Sequence, residues 1–336
     1  MSNLSLRPLT LADFHGQPEL THDLEIIIQA SLGRGDYPDH MLFSGPPGLG
    51  KTTISHIIAH ELSLPVMQTT GPAIEKPGDL ASLLTSLKEP TVLFIDEIHA
   101  LDRRCEELLY SAMEDGYIDL IVGEGARARS IKINLEKFVL VAATTLSGNL
   151  SGPLRDRFGY HGRFKLYDEQ TLANIVMRSS GLLKIEIGPA SALTIAKSSR
   201  GTPRIANRLL RRVRDYLQIH PQPELSLELQ VQKALDSYGI DNLGLDSLGR
   251  DILKVLIKNF NGGPVGLQTL AAAVGESSQT IEELYEPYFM RVGLLQRTLR
   301  GRLATPLAYL HLGMEPMINT NLATGQNLDN QPQLDF

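Results

Sequence analysis

Two short segments hold the residue types and spacing needed to handle a nucleoside triphosphate. Gly45-Pro46-Pro47-Gly48-Leu49-Gly50-Lys51-Thr52 has the form GxxxxGKT, and Thr53 follows it. Glycines let a backbone wrap closely around phosphates and aim its N–H groups at them. Lys51 supplies a positive charge to the β and γ phosphates, and the Thr52 hydroxyl can bind magnesium. A helix opening there adds its positive end. Thr53 is placed to touch a phosphate or to pack. Downstream, Val92-Leu93-Phe94-Ile95 runs into Asp96-Glu97. A buried strand of this kind delivers Asp96 to the magnesium shell and Glu97 to the attacking water. An acidic pair that merely caps a helix is the alternative, and the phosphate loop upstream argues against it. His99, just beyond, fits a packing residue and a sensor equally well.

Further residues extend the pattern. Ala142-Ala143-Thr144-Thr145 ends an apolar run. Thr145, ahead of Thr144, is the candidate to lie beside Asp96 and meet the γ-phosphate or the water. Pro153-Leu154-Arg155-Asp156-Arg157-Phe158 carries two arginines. An arginine reaching a neighbour's site stabilises charge on the transferring phosphoryl group. Arg157 is the first candidate and Arg155 the second, and supply in trans would make assembly a condition of hydrolysis. Arg200, Arg204, Arg208, Arg211, Arg212 and Arg214 form a basic helical stripe. Arg204 follows Gly-Thr-Pro at a helix start, from which it can fold back to the γ-phosphate. The others suit a subunit interface, a nucleic-acid channel or a solvated face.

These groups need a scaffold, and the apolar periodicity supplies one. Short apolar strands are expected at 40–43, 66–68, 91–95 and 138–142, alternating with helices at 18–32, 54–62, 79–87 and 106–113. That alternation predicts an α/β fold with a mostly parallel sheet covered on both faces. Residues 117–135 break the rhythm with alternating apolar positions around GEGARAR, the pattern of a projecting hairpin. After Tyr167 the strands stop, and helices at 168–181, 189–198, 202–217 and 227–237 predict a small all-helical domain. Asp241–Gly249 reads as a linker. Helices near 250–260, 266–274 and 278–290, then a β-like segment at 293–305, predict a winged helix. The domains expected are thus 1–167, 168–240 and 250–312, with a polar, disordered tail at 315–336.

Composition bounds the rest. The chain has 336 residues, 42% hydrophobic and 21% charged, with a formal net charge of -6. That charge gives no support to nucleic-acid binding over the whole surface, so any such contact must be a local basic patch. Residues 291–302 are such a patch, with Arg291, Arg297, Arg300 and Arg302, no acidic residue, and Gly301 suited to a tight turn in a wing. They predict sequence-independent, salt-sensitive phosphate contacts. The single cysteine, Cys105, excludes an internal disulfide and reads as a bystander. No apolar run is long enough to span a bilayer and no secretory signal is evident, so a cytoplasmic protein is expected.

The chain resembles the RuvB family of bacterial Holliday-junction branch-migration ATPases, which belong to the AAA+ superfamily. The matching segments include DFHGQ at 13–17, FIDEIH at 94–99, AMEDGYIDL at 112–120, PLRDRFG at 153–159, RGTPRIANRLLRRVRD at 200–215, GGPVGLQTLA at 262–271 and EPYFMRVGLLQRTLRGR at 286–302. The resemblance runs from residue 6 to about 312. It implies an AAA+ core, a helical lid and a winged helix, with ATP and Mg2+ as cofactors. It implies that Leu6, Arg7, Phe14, His15 and Tyr167 lie near the adenine, with Glu114, Asp115 and Gly116 among the nucleotide contacts. Arg157 would be the trans finger, Thr145 the first sensor and Arg204 the second. The hairpin at 116–135 would dock the junction-binding protein RuvA, and the resolvase RuvC would join a larger complex. The winged helix would contact duplex DNA, in a ring of six.

Four positions depart from the family pattern: Ala100 after DEIH, Leu146 after ATT, Gly116 after AMED, and Leu299 in RTLRGR. None removes a group assigned to ATP chemistry, but Ala100 and Leu146 replace arginines that could relay nucleotide state between subunits. The function implied is ATP-driven branch migration in recombination and repair. The competing readings are a clamp-loader-like remodeller acting on protein and a nucleotide-sensing DNA-binding regulator with little turnover. The arginines at 291–302 argue against the first, and intact Lys51, Asp96, Glu97 and Arg157 against the second.

Overall fold

The computed structural model describes residues 6–122 and 129–315. It contains two compact units, 1–246 and 247–336. The GEGARAR turn, but for Arg129, and the tail beyond Glu315 lie outside the described residues.

The first unit is built on five parallel strands. They are β1 (Met41–Ser44), β2 (Val66–Thr70), β3 (Thr91–Asp96), β6 (Phe138–Thr144) and β7 (Tyr160–Arg163), in the spatial order β2-β3-β6-β1-β7. Successive strand residues point to opposite faces, and the core divides accordingly. Met41, Phe43, Val92, Phe94, Val139, Val141 and Ala143 join one apolar cluster. Leu42, Leu93, Ile95, Leu140 and Ala142 join the other. Because both faces are buried, the strands are continuous apolar runs rather than alternating ones.

Helices α1 (Pro18–Arg34), α2 (Lys51–Glu61), α3 (Pro77–Thr85) and α4 (Arg103–Asp115) accompany the strands. α4 is capped by the Asp102 carboxylate, which accepts from Cys105 N–H. It ends at Gly116, in the left-handed region. There the chain turns into the antiparallel pair β4 (Tyr117–Val122) and β5 (Arg129–Asn134).

β7 was not foreseen. Its sequence, YHGR, has no apolar alternation; pairing with β1 and the fit of Gly162 against Phe43 define it. A Cβ at Gly162 would fall 2.6 Å from the Phe43 ring. The short helix α5 (Gly152–Asp156), capped by Ser151, precedes it.

The helical lid follows: α6 (Glu169–Leu183), α7 (Pro189–Lys197), α8 (Pro203–Ile219) and α9 (Leu227–Ser237). Its buried Leu172, Val176, Ile195, Leu209 and Val213 continue the first apolar cluster.

The second unit has α10 (Ser247–Phe260), α11 (Leu267–Val274), α12 (Ser278–Thr280), α13 (Glu286–Arg291), the hairpin of β8 (Leu295–Thr298) and β9 (Gly301–Ala304), and α14 (Pro306–His311). This is the winged-helix arrangement. Two expectations need correction. Gly249 is not in a linker but buried in the first turns of α10, where packing outweighs a helix penalty of about 1 kcal/mol. The helix expected at 278–290 is interrupted by a π-helical turn at Ile281–Tyr285. Pro287 explains the break, because it lacks an N–H and its ring clashes with the carbonyl four residues back.

Candidate active site and nucleic-acid interface

Ligands in open parallel sheets gather at the carboxyl ends of the strands. Here β1 ends at Ser44, paired with Thr144 of β6, while Asp96 ends β3 on the other side of β6. Three adjacent strands therefore deliver the phosphate loop, the acidic pair and the two threonines to one edge.

The loop backbone takes the conformations its glycines permit: φ is 138° at Gly45, 80° at Gly48 and 114° at Gly50. A Cβ at Gly48 would sit 2.9 Å from Thr202 and 3.0 Å from Arg204, so the start of α8 closes directly on the loop. Arg204 N–H donates to Gly48 O at 3.3 Å. Lys51 is buried, and its ammonium donates to Gly45 O at 2.5 Å and Pro46 O at 3.0 Å.

A cavity of about 680 Å³ opens beside this loop. Pro47, Gly48, Leu49, Gly50, Lys51, Thr52, Thr53, Asp96, Glu97 and Arg204 line it, together with Leu6, Arg7, Phe14, His15 and Tyr167. Gly45 and Pro46, expected among the nucleotide contacts, are absent from the lining; their carbonyls accept from Lys51. The Tyr167 hydroxyl donates to Leu49 O at 3.0 Å, and burial raises its pKa.

Sequence reasoning missed Arg178, Ile175 and Asn207 on this wall. Arg178 Nη1 donates to Leu6 O at 3.1 Å, tying the N-terminal segment to α6. No motif marks Arg178; only the packing of α6 brings it there. Arg208 and Arg211 also line the cavity. Of the basic stripe, these two thus face the nucleotide site, while Arg212 stacks over Tyr238 and Arg214 pairs with Asp215.

The acidic pair is tightly held. Burial raises the Asp96 pKa, and neighbouring Glu97 raises it further; Glu97 N–H, Lys51 and Arg204 act in the opposite sense. Glu97 sits in the left-handed region at φ 50°, a conformation rare outside glycine and concentrated at functional sites. Its carbonyl packs against Gly71, where a Cβ would approach to 2.3 Å. Its Oε2 accepts from Thr145 N–H at 3.2 Å and Thr145 Oγ1 at 3.1 Å, and His99 Nδ1 lies 3.2 Å away. The same His99 nitrogen is 2.9 Å from Thr144 Oγ1. Thr145 is absent from the cavity lining and reaches it only through Glu97, while His99 braces the acidic pair against β6.

Arg157 stands elsewhere. Its Nη2 pairs with Glu114 at 3.0 Å, its Nη1 donates to Pro153 O at 2.9 Å, and its guanidinium lies 4.5 Å from the Tyr110 ring centroid. With Met113, Glu114 and Asp156 it lines a separate cleft. Glu114, Asp115 and Gly116 do not line the cavity of their own chain; Glu114 lies beside the finger, and Asp115 and Gly116 close the end of α4.

In the second unit, the expected cluster of Arg291, Arg297, Arg300 and Arg302 does not face outward as a set. Arg300 and Leu299 occupy the exposed tip of the β8–β9 wing. Arg302 is buried, and its guanidinium takes Glu286 Oε2 at 3.0 and 3.2 Å. Arg297 lies 3.2 Å from Glu282 and 3.9 Å from Glu286. Arg291 is exposed at the end of α13. As a direct phosphate contact Arg302 must be corrected: Glu286, sixteen residues upstream, turns it inward. The segment's lack of acidic residues hid this pairing.

Among the described residues no helix is long and apolar enough to cross a membrane.

Three family models match consecutive parts of the chain: the Holliday junction DNA helicase RuvB P-loop domain over residues 6–164, the RuvB AAA lid domain over 167–241, and the RuvB C-terminal winged helix domain over 242–313. The structure of the Thermotoga maritima RuvB Holliday junction branch migration motor is similar, with 46% identity and a TM-score of 0.84 over 92% of this chain and 99% of that one. Two point mutants of that protein align over the same shares at 0.85 and the same identity. Matched in all three parts and over almost the full length of a solved relative, the chain belongs to the RuvB family.

Proposed function

We propose that this chain is an ATP-driven DNA motor subunit that promotes branch migration of Holliday junctions, acting in a ring around duplex DNA. One observation carries the ring. The cavity holds Lys51, Thr52, Asp96, Glu97 and Arg204 but not Arg157, which lines a separate cleft. A site complete but for its finger asks for an arginine from the next subunit. A ring of six is the family's arrangement.

The residues present fit ATP with a hard divalent cation. The Asp96 carboxylate is desolvated with Glu97 beside it, which favours a bound positive charge, and the Thr52 hydroxyl and Asp96 carboxylate are oxygen donors of the kind Mg2+ takes. Magnesium held there would neutralise charge developing on the phosphates.

The chain's own residues do the rest. The loop amides and Lys51 bind the phosphates. Glu97, aligned by Thr145 and His99, orients water and takes its proton. Arg204 couples phosphate occupancy to the lid, because its backbone is already bonded to the loop at Gly48. The adenine end is closed by Leu6, Arg7, Phe14, His15 and Tyr167. The winged helix meets duplex phosphates through Arg300, Arg297 and Arg291. We assign RuvA to the β4–β5 hairpin, where Ile131 is exposed, and place RuvC in the larger complex. Functionally, residues 1–167, 168–240 and 250–312 serve as core, lid and DNA-contacting domain, in the cytoplasm.

The test is ATP-dependent migration of a synthetic four-way junction with RuvA present, comparing wild type with Glu97→Gln. Migration by wild type and its loss in the variant are expected. DNA-stimulated hydrolysis without migration by wild type would assign the scaffold to a different DNA remodeller.

A further inference from the structure

Behind Arg157, beside the cleft away from the nucleotide cavity, lies a residue that no motif assigned. Tyr110 lies on α4, seven residues after its start at Arg103, and is half-buried. Its ring faces the Arg157 guanidinium, with 4.5 Å between the guanidinium carbon and the ring centroid. Its hydroxyl lies 2.8 Å from Ser151 Oγ and 3.2 Å from Glu106 Oε2. Glu106 can only accept, so the tyrosine proton goes to Glu106 and the serine hydroxyl donates to the tyrosine oxygen.

Ser151 and Arg157 are the two ends of one element. Ser151 caps the start of α5, and Arg157 caps its end. Tyr110 thus grips α5 twice, by hydrogen bond at the first residue and by its ring at the last. The Pro153 carbonyl inside the same turn takes Arg157 Nη1. Arg157 Nε is buried and has no hydrogen-bond partner among the described residues.

The two anchors of the guanidinium differ in permanence. Glu114 is an exposed partner, its side chain 63% accessible, and such pairs exchange readily for other anions. The ring cannot leave without moving α4. A cation stacked on an aromatic face keeps its plane while its in-plane N–H groups trade a carboxylate for a phosphate oxygen.

We propose that Tyr110 is the positioning residue of the Arg157 finger, a shelf that holds the guanidinium in the plane from which Glu114 can be exchanged for a neighbour's γ-phosphate. This rests on Arg157 acting in trans.

The test uses full-length protein with duplex DNA and measures steady-state ATP turnover. Tyr110→Met, which keeps bulk and loses the ring face, should lower kcat about five- to thirtyfold, the range of a cation–π contact, with the KM for ATP within about twofold of wild type. Tyr110→Phe keeps the ring and should recover most of the rate. Mixing Tyr110→Met with Glu97→Gln subunits should raise turnover above simple dilution, because the second variant has a dead site but an intact finger. Unchanged kcat, or a defect confined to KM, overturns the proposal. Arg157→Ala in the same mixtures separates the two readings. If Glu97→Gln rescues Arg157→Ala but not Tyr110→Met, only the shelf is wrong; if it rescues neither, the trans finger falls and the shelf with it. Should Tyr110→Met fail to fold, Tyr110→Leu, which also lacks the ring face, takes its place with the same expected loss in kcat, and an unchanged kcat refutes the proposal.

Discussion

The nucleotide cavity and the wing of the second unit both bind phosphates on this reading, yet they use opposite economies of charge. In the cavity, cations and carboxylates converge on a space between them: Lys51, Arg204, Arg208 and Arg211 face Asp96 and Glu97 across about 680 Å³. In the wing, Arg302 and Arg297 are already answered by Glu286 and Glu282 within 3.0–3.2 Å. A site preorganised for a nucleotide sets both signs of charge around one space. A surface that must release duplex at every step neutralises part of its charge internally. The lesson is that arginine count measures neither affinity nor site; where the counter-charge sits decides.

The largest test breaks the cavity side. Glu97→Gln keeps shape and hydrogen-bonding capacity but removes the base, and turnover should fall on the order of 10²-fold or more with ATP binding retained. A single-turnover assay beside a nucleotide-binding titration checks both halves. Retained turnover would move the base to another residue.

Next, Glu286→Ala tests the inward economy of the wing. Glu286 is 1% accessible and Arg302 is 9%. Removing one partner of a buried pair costs about 3–5 kcal/mol, because the other charge is left uncompensated. The second unit should melt earlier, and pairing Glu286→Leu with Arg302→Met should restore most of the loss. Equal stability of Glu286→Ala and wild type would show that the pair is dispensable.

Why one region was legible and the other not follows from how each is built. The phosphate loop is eight consecutive residues whose function depends on backbone shape, and glycine spacing writes backbone shape directly into sequence. Asp96 and Glu97 were legible because an apolar strand leads straight into them. Arg178 was not: it belongs to α6 and reaches the cavity through packing against the segment at Leu6. Thr145 was foreseen beside Asp96, yet its partner is Glu97, a choice of rotamer that spacing cannot fix. In the wing, Arg302 read as a phosphate contact because its neighbours in sequence are basic; its partner in space lies on α13. Edge strand β7 was illegible for a related reason, since pairing with β1 and not its own residues makes it a strand.

A smaller effect separates arginines that the sequence could not. Arg300 is exposed at the tip of the wing. Arg300→Ala should weaken duplex binding about three- to tenfold, equally for unrelated sequences, and lower the salt slope by about one. Arg302→Ala should act through stability instead, lowering the melting temperature of the unit. If both variants shift the slope alike, Arg302 leaves Glu286 when DNA binds, and the contrast drawn between cavity and wing loses its second half.

The smallest effect is the most specific to that contrast. Glu282 lies on the π-helical turn, its side chain 40% accessible, with Arg297 at 3.2 Å and Arg302 at 3.6 Å. A phosphate approaching Arg297 must compete with this carboxylate, so the glutamate lowers affinity while leaving the fold intact. Being exposed, the pair is screened by salt and individually weak. Glu282→Gln should therefore tighten duplex binding only about two- to threefold at low salt, with the gain vanishing as salt rises and the melting temperature unchanged. The sign matters more than the size. A phosphate-facing arginine that lost a useful orienting partner would bind more weakly, whereas one freed from a competitor binds more tightly. Tighter binding with slower junction migration would show that internal neutralisation keeps the wing able to let go.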